Sequence, residues 1–212
     1  MSEIRVENII GETGTDAVKF TKGINATGIV TATSFSGSVD ASQLTGALPA
    51  ISGANLTGIT AGLFSSYAII SHEKANNTNG SSLSTGNYST REINSEVADP
   101  DGIVTVSGNQ FTLQAGSYLI DSMSIIHRGN QSQSRLYNAT DSSVVQYGMS
   151  VHASDGNSGN VISPVVARVT IGSAKAFEIQ SRVSNSDGEN SGLANNFGNT
   201  QFYTIIKIFK EN

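Results

Sequence analysis

Cysteine and tryptophan are both absent from the 212-residue chain. Without cysteine there can be no disulfide framework and no thiolate metal site, which suits assembly in a reducing cytoplasm. Charge is also sparse: 14% of residues are Asp, Glu, Lys or Arg, and the formal net charge is −5. Lys and Arg are scattered, so the basic footprint that a nucleic-acid partner requires is missing and no DNA or RNA binding is expected. No run approaches the roughly 20 apolar residues of a membrane span. The N-terminus MSEIRVENII carries Glu3 and Glu7 where a signal peptide needs a basic start and an apolar run. Membrane insertion is not expected, and the chain reads as made in the cytosol.

Catalytic signatures are equally scarce. His72, His127 and His152 lie far apart in sequence and none has another His, Cys or carboxylate at ligand spacing, so they are expected to be ordinary sheet histidines. No Gly-rich phosphate loop and no G-x-S-x-G elbow occurs. A glycosidase needs two carboxylates about 5 to 10 Å apart; the candidates Asp99 with Asp101 and Asp187 with Glu189 lie in turns, where capping of the backbone explains them. Asp99, Asp101, Asp155 and Asp187 are also the residues that could offer oxygens to Ca²⁺, but the turn role is the expected one. The chain is read as a non-enzyme, with no catalytic residue, metal or cofactor. The sequons at Asn25, Asn55, Asn76, Asn79, Asn87, Asn130 and Asn138 follow from an Asn- and Ser-rich composition and, without a secretory signal, are not read as glycosylation sites.

What the chain does contain is a long weakly apolar stretch, Gly23 to Phe64, with Asp40 as its single charged side chain. Apolar residues return there only every four or five positions. Gln43-Leu44-Thr45-Gly46 and Asn55-Leu56-Thr57-Gly58 are the same phrase twelve residues apart, with Thr27-Gly28 and Ser36-Gly37 as looser echoes. Repeats this short are stable only when stacked on neighbours. Three identical chains winding about one axis would let each sparse apolar residue meet its two copies. Residues 23–63 are therefore expected to form an intertwined trimeric β-rich shaft, with Ile29, Phe35, Leu44, Leu48, Ile51, Leu56 and Ile59 as its contacts. Residues 1–22 mix charge with two alternating runs around Gly14-Thr15 and read as a docking segment.

From residue 64 the pattern becomes that of short strands between turns, an all-β sandwich. Strands are expected at Ser66 to His72, Ile103 to Val106, Gln110 to Leu113, Ser117 to His127, Arg135 to Asn138, Val144 to Val151 and Gln201 to Lys210, with a turn at Asp99-Pro100-Asp101-Gly102. The runs 117–127 and 201–210 are apolar on both faces and should be central in a sheet. Val165 to Val183 reads as a hairpin through Gly172-Ser173, with Glu178, Gln180 and Arg182 on a wet face. The loops 76–87, 154–160 and 184–199 are too polar and Gly-rich for strands and are expected on the outer surface.

The segment Phe111, Gly116, Tyr118 in FTLQAGSYLI resembles the F-x-x-x-x-G-x-Y signature of C1q and tumour-necrosis-factor-like jelly rolls. The order of strands over residues 64–212 agrees, and the resemblance implies a homotrimeric jelly-roll tip. The N-terminal half is similar to virion fibre proteins of tailed bacteriophages, of the marine and cyanophage type: Ile4 to Ile9, Phe20 to Ile24, Thr31 to Gly37 and Leu48 to Gly58 carry that likeness, and Arg91 to Asn94 with Asp99 to Gly102 look like phage C1q-type tips. This implies a tail fibre of the virion, made in the host cytoplasm, that docks on other virion proteins through residues 1–22 and meets a host surface glycan or protein through residues 64–212. A head fibre or decoration protein, or a polysaccharide-degrading tail spike, are the alternatives. Amide and hydroxyl groups suit sugar hydroxyls, so Asn195, as a donor, and Phe197, as a stacking platform or a pin to the core, are singled out as the candidate receptor loop.

Overall fold

The computed structural model describes residues 63–154 and 159–212, together with the single position Thr27. The shaft contacts expected at Ile29, Phe35, Leu44, Leu48, Ile51, Leu56 and Ile59, the docking segment 1–22 and Asp155 lie outside the described residues.

Eleven strands follow one another among the described residues: β1 Phe64–Lys74, β2 Ser89–Thr90, β3 Ser95–Ala98, β4 Val104–Ser107, β5 Gln110–Leu113, β6 Gly116–His127, β7 Asn130–Asn138, β8 Ser143–Ala153, β9 Asn160–Ile171, β10 Lys175–Val183 and β11 Gln201–Glu211. They form two antiparallel sheets. One has the order β3-β1-β11-β6-β9, the other β4-β5-β10-β7-β8 with β2 added on β10. From β6 onward the chain crosses repeatedly between the sheets, and only β7 and β8 follow each other within one, which is the double-sheet jelly roll.

Period-2 alternation explains the layers. In β6, Tyr118, Ile120, Ser122, Ser124 and Ile126 are buried while Leu119, Met123 and Ile125 are half-buried on the other side. The inward residues of both sheets interdigitate: Phe111 and Phe177 stack with ring centroids 5.8 Å apart, packed with Leu136 and Ile179 of their own sheet and Ile70, Ile120, Ile206 and Ile208 of the other. A smaller cluster of Leu83, Ile126, Ala153 and Val183 closes one end. Full burial of each such side chain is worth about 1.5–3 kcal/mol.

The expected strands are present, and β11 is the middle strand of its sheet. Two expectations need correction. The stretch 165–183 is not a hairpin: β9 pairs with β6, whereas β10 pairs with β7 and β5, so Gly172-Ser173 carries the chain from one sheet to the other. Alternation identifies a strand and its faces but not its partner. Nor are Glu178 and Gln180 on a wet face, since both are buried. Thr90 of β2 donates to Glu178 at 2.7 Å, Gln110 to its other oxygen at 2.7 Å, and Arg135 to Gln180 at 2.8 Å.

Where β8 and β9 converge, the sheets touch through backbone. A Cβ on Gly148 would lie 2.3 Å from the Pro164 carbonyl oxygen, and the Ser163 hydroxyl accepts from the Ser134 amide at 2.9 Å while donating to the Met149 carbonyl.

Candidate functional site

Two surfaces stand out, and both follow from the strand registers. The first is the loop-bearing end. Segments 76–87 and 184–199 are knitted together rather than splayed into solvent: the Gly80 amide donates to the Gly192 carbonyl at 2.8 Å, the Ser191 amide to the Ser81 carbonyl at 2.9 Å, and the Ala194 amide to Asn79 Oδ1 at 2.9 Å. Gly192 (φ 139°) lies so close to Tyr203 that a Cβ would come within 2.1 Å of its ring. The expectation that these loops are wholly outer surface is therefore corrected: Leu83, Asn190 and Ser191 are buried. Asn190 explains why, because its side chain donates to the carbonyls of His127 and Asn185 while accepting from the Asp187 amide.

Beneath these loops sits a charged side chain that the sequence marks only as the start of the Arg91 to Asn94 tract, with no role assigned to it. Arg91 is fully buried, its Nε donating to Thr204 Oγ1 at 3.2 Å and its Nη2 to the Ser191 and Tyr203 carbonyls at 3.1 Å. Burial lowers its pKa to about 10, still protonated at neutral pH. Such a guanidinium holds the loop to β11 through three acceptors. Nothing in the local pattern marks it, since Arg91 follows a two-residue strand too short to show alternation.

His72 lies close by, buried on the inward side of β1, its ring 5.5 Å from that of Tyr203. Its Nε2 is 2.8 Å from Glu92 Oε2, which Lys74 also meets at 2.8 Å, but the approach is not aligned as a hydrogen bond. Burial pushes the His72 pKa down to about 4 against the pull of Glu92, and the positive charges of Arg91 and Lys74 push the same way as burial. His127 in β6 bonds Asn160 at 3.0 Å and lies 3.9 Å from Asp187, and His152 stands in β8. All three histidines are on strands. Asp99 caps the Ile103 and Val104 amides, as expected of a turn carboxylate. Asp187 does more than cap, because its second oxygen faces His127 and, at 3.5 Å, Arg128. Among the described residues no group of three or more His, Cys, Asp or Glu is arranged to hold a metal ion.

The two receptor-loop candidates sit on the rim of this end. Phe197 is 80% exposed, so it does not pin the loop to the core. Asn195 is exposed, with its amide donating to Gln201 Oε1 at 2.8 Å. Both line a shallow cavity of about 270 Å³ with Leu193, Phe202 and Asn199.

The second surface is the outward face of the five-stranded sheet. Directly paired residues share a face, so the registers place Tyr67, Phe209 and Leu119 in one row, Ser71, Ile205, Met123 and Pro164 in another, and Ile125 beside Ile162. Tyr67, Ile162, Val166 and Phe202 are 45–58% exposed. Ion pairs interrupt the apolar field: Lys207 with Asp121 at 2.9 Å, in the row between Ile69 and Val166, and Arg168, the register partner of Leu119, with Glu211 at 2.6 Å. The corresponding face of the other sheet carries Gln131, Gln133, Arg135, Ser150, His152 and Arg182, with the Tyr88, Tyr137 and Tyr147 rings around Arg135.

No protein-family model matches the sequence, and no curated protein matches it. Among solved structures, similar chains include the globular domain of zebrafish complement 1qA protein, at 12% identity and TM-score 0.44 over 68% of this chain and 95% of that one. Murine APRIL is similar at 9% identity and TM-score 0.43, over 68% of this chain and 98% of that one. The PRD1 vertex protein P5 is similar at 12% identity and TM-score 0.44, over 70% of this chain and 99% of that one.

Proposed function

We propose that the chain is a structural, homotrimeric virion fibre protein of a tailed bacteriophage, docked on the virion through residues 1–22, projected by a shaft over 23–63, and meeting the host surface through its jelly roll. The observation that carries this reading is the outward face of the five-stranded sheet. Tyr67, Ile69, Leu119, Met123, Ile162, Val166, Ile205 and Phe209 make an apolar patch on one sheet face, divided by the Lys207–Asp121 pair, of the kind that marks an interaction site. Identical chains bury such a patch most economically around a closed symmetry axis. The sparse apolar repeat of residues 23–63 points to the same three-chain assembly, and the phage-fibre likeness of the N-terminal half supplies the virion setting.

Adhesion would then be multivalent, with weak tip contacts combining through effective concentration. The polar rim around Asn195 and Phe197 offers amide donors and an exposed ring to such a contact. Sedimentation of the full chain at micromolar concentration is expected to give three times the 22.1 kDa chain mass; a single-chain species overturns the reading. An antibody to residues 64–212 applied to whole virions separates a tail fibre from a head fibre.

A further inference from the structure

The outward face of the six-stranded sheet holds a cavity of about 690 Å³, larger than the one beside Phe197. Its floor is set by register. Arg182 of β10 pairs with Gln133 of β7, which pairs with Ser150 of β8, and Gln131 pairs with His152, so these five side chains project together from one face. Thr85, Gly86 and Tyr88, from the segment leading into β2, form one wall.

The hydrogen bonding divides these residues into a fixed and an available set. Tyr88 donates to Gln133 Oε1 at 2.8 Å, and Gln133 Nε2 donates to the Gly148 carbonyl at 3.0 Å, so Gln133 is locked and the tyrosine ring is held in place by it. Arg135 lies over the Tyr88 ring at 3.8 Å and fixes it further. By contrast the side chains of Thr85, Gln131, His152 and Arg182 engage no hydrogen-bond or ion-pair partner among the described residues. A rigid polar wall thus stands beside an unpaired guanidinium, an imidazole, an amide and a hydroxyl. None of the described residues lining the cavity is a carboxylate, although the chain as a whole carries a net charge of −5. In an acidic protein this groove is a local site for negative charge.

We propose that this groove binds a carboxylate-bearing saccharide chain. Arg182 offers the planar fork that matches a carboxylate, while Gln131, Ser150, Thr85 and His152 offer the mixed donors and acceptors that sugar hydroxyls need. The site lies on the sheet opposite the apolar face, so burying that face between copies leaves the groove open. The inference names a ligand class for the host-binding tip and rests on that reading, but it places the ligand away from Asn195 and Phe197.

The test uses the full chain and two probes, trigalacturonate and the neutral maltotriose, titrated at low ionic strength. Trigalacturonate is expected to bind at least tenfold more tightly than maltotriose. Arg182→Gln is expected to remove that preference, and Arg182→Lys to restore part of it, with unchanged melting temperature. Gln131→Ala, a second variant at an exposed position, is expected to weaken the acidic probe severalfold. Equal affinity for the two probes, binding of neither, or an Arg182→Gln protein that keeps the preference overturns the proposal. Sedimentation of the same samples keeps the two readings apart: a trimer that ignores trigalacturonate sinks only the groove, whereas a single-chain species sinks the fibre assembly itself.

Discussion

The two sheets obey the same inward rule and opposite outward ones. Inside, Ile70, Ile120, Ile206 and Ile208 meet Phe111, Leu136, Phe177 and Ile179. Outside, the six-stranded sheet shows Gln131, Gln133, Arg135 and Arg182, whereas the five-stranded sheet shows Tyr67, Leu119, Met123, Ile205 and Val166. A sandwich folding only to bury its own core has no use for the second set. Under the proposed assembly the difference separates residues that make the protomer from residues that would meet a neighbour, and it can be broken experimentally face by face.

The largest effect is expected from inverting the apolar face. Val166→Asp with Ile162→Asp changes two side chains that are more than half exposed in the single protomer, so folding of the sandwich should change little. If copies meet there, each substitution forfeits about 1.5–3 kcal/mol of apolar burial and adds an unpaired charge. The dissociation concentration should rise by more than about 100-fold, since every 1.4 kcal/mol is tenfold. The matched change on the polar face, Gln131→Asp, should leave the sedimentation profile as it was.

Next in size is Gly148→Ala, which acts where the two sheets touch. The obstacle to the new methyl is the Pro164 carbonyl at 2.3 Å, a backbone atom that cannot swing away as a side-chain end would. Overpacking of this sort costs about 1–3 kcal/mol, seen as a lower melting temperature and a smaller denaturation midpoint. Gly172→Ala, at a glycine with open space around it, is the control and should melt like the parent.

A smaller effect, of opposite sign, is expected from the Lys207–Asp121 pair. On a free protomer this half-exposed pair is worth about 0–1 kcal/mol. Enclosed by a neighbour it would lose hydration on both charges, and replacing both by apolar residues of similar size is then neutral or stabilising by about 1–4 kcal/mol. Lys207→Met with Asp121→Leu should therefore tighten assembly, while Asp121→Leu alone should loosen it. Equal behaviour of the single and double variants would mean that the face stays wet.

Much of this was legible in the residues, though not always for the reason first assigned. The runs 117–127 and 201–210 are apolar on both sides, which marks them as interior strands of a sheet, and β6 and β11 are interior. Interior position explains only paired backbone edges, however; the outward apolar residues of β6 and β11 face no strand of the opposite sheet among the described residues. Sheet membership of β9 and β10 was not legible, because alternation is identical whether a turn closes a hairpin or crosses a sandwich. The burial of Glu178 and Gln180 depends on Gln110, Arg135 and the two-residue strand β2, contacts from distant parts of the chain that leave no periodic signal. The same holds for Arg91, whose acceptors lie about a hundred residues further on, and for the groove, which exists only once β10, β7 and β8 are side by side.

The inside of the five-stranded sheet offers the finest test, because its apolar rule lapses toward the loop end. There Ser122, Ser124, His72 and Thr204 point inward beside Arg91, while Met123 and Ile205 point outward. His72 is the titratable member of that polar interior. Its folded pKa of about 4 lies below the ordinary histidine value of 6.5, so the unfolded chain binds a proton that the folded chain refuses. Stability contributed by keeping the ring neutral is whole above pH 6.5 and is lost as pH falls from 6.5 toward 4. Protonation would set a second positive charge beside Arg91, with only Glu92, already shared with Lys74, to oppose it. The melting temperature of the parent should fall through this window, and His72→Gln should flatten the part above pH 5, where the carboxylates contribute little. A parent curve that is flat from pH 7 to 5, or a His72→Gln curve that falls in parallel with the parent, would show that the ring is not held neutral in the fold.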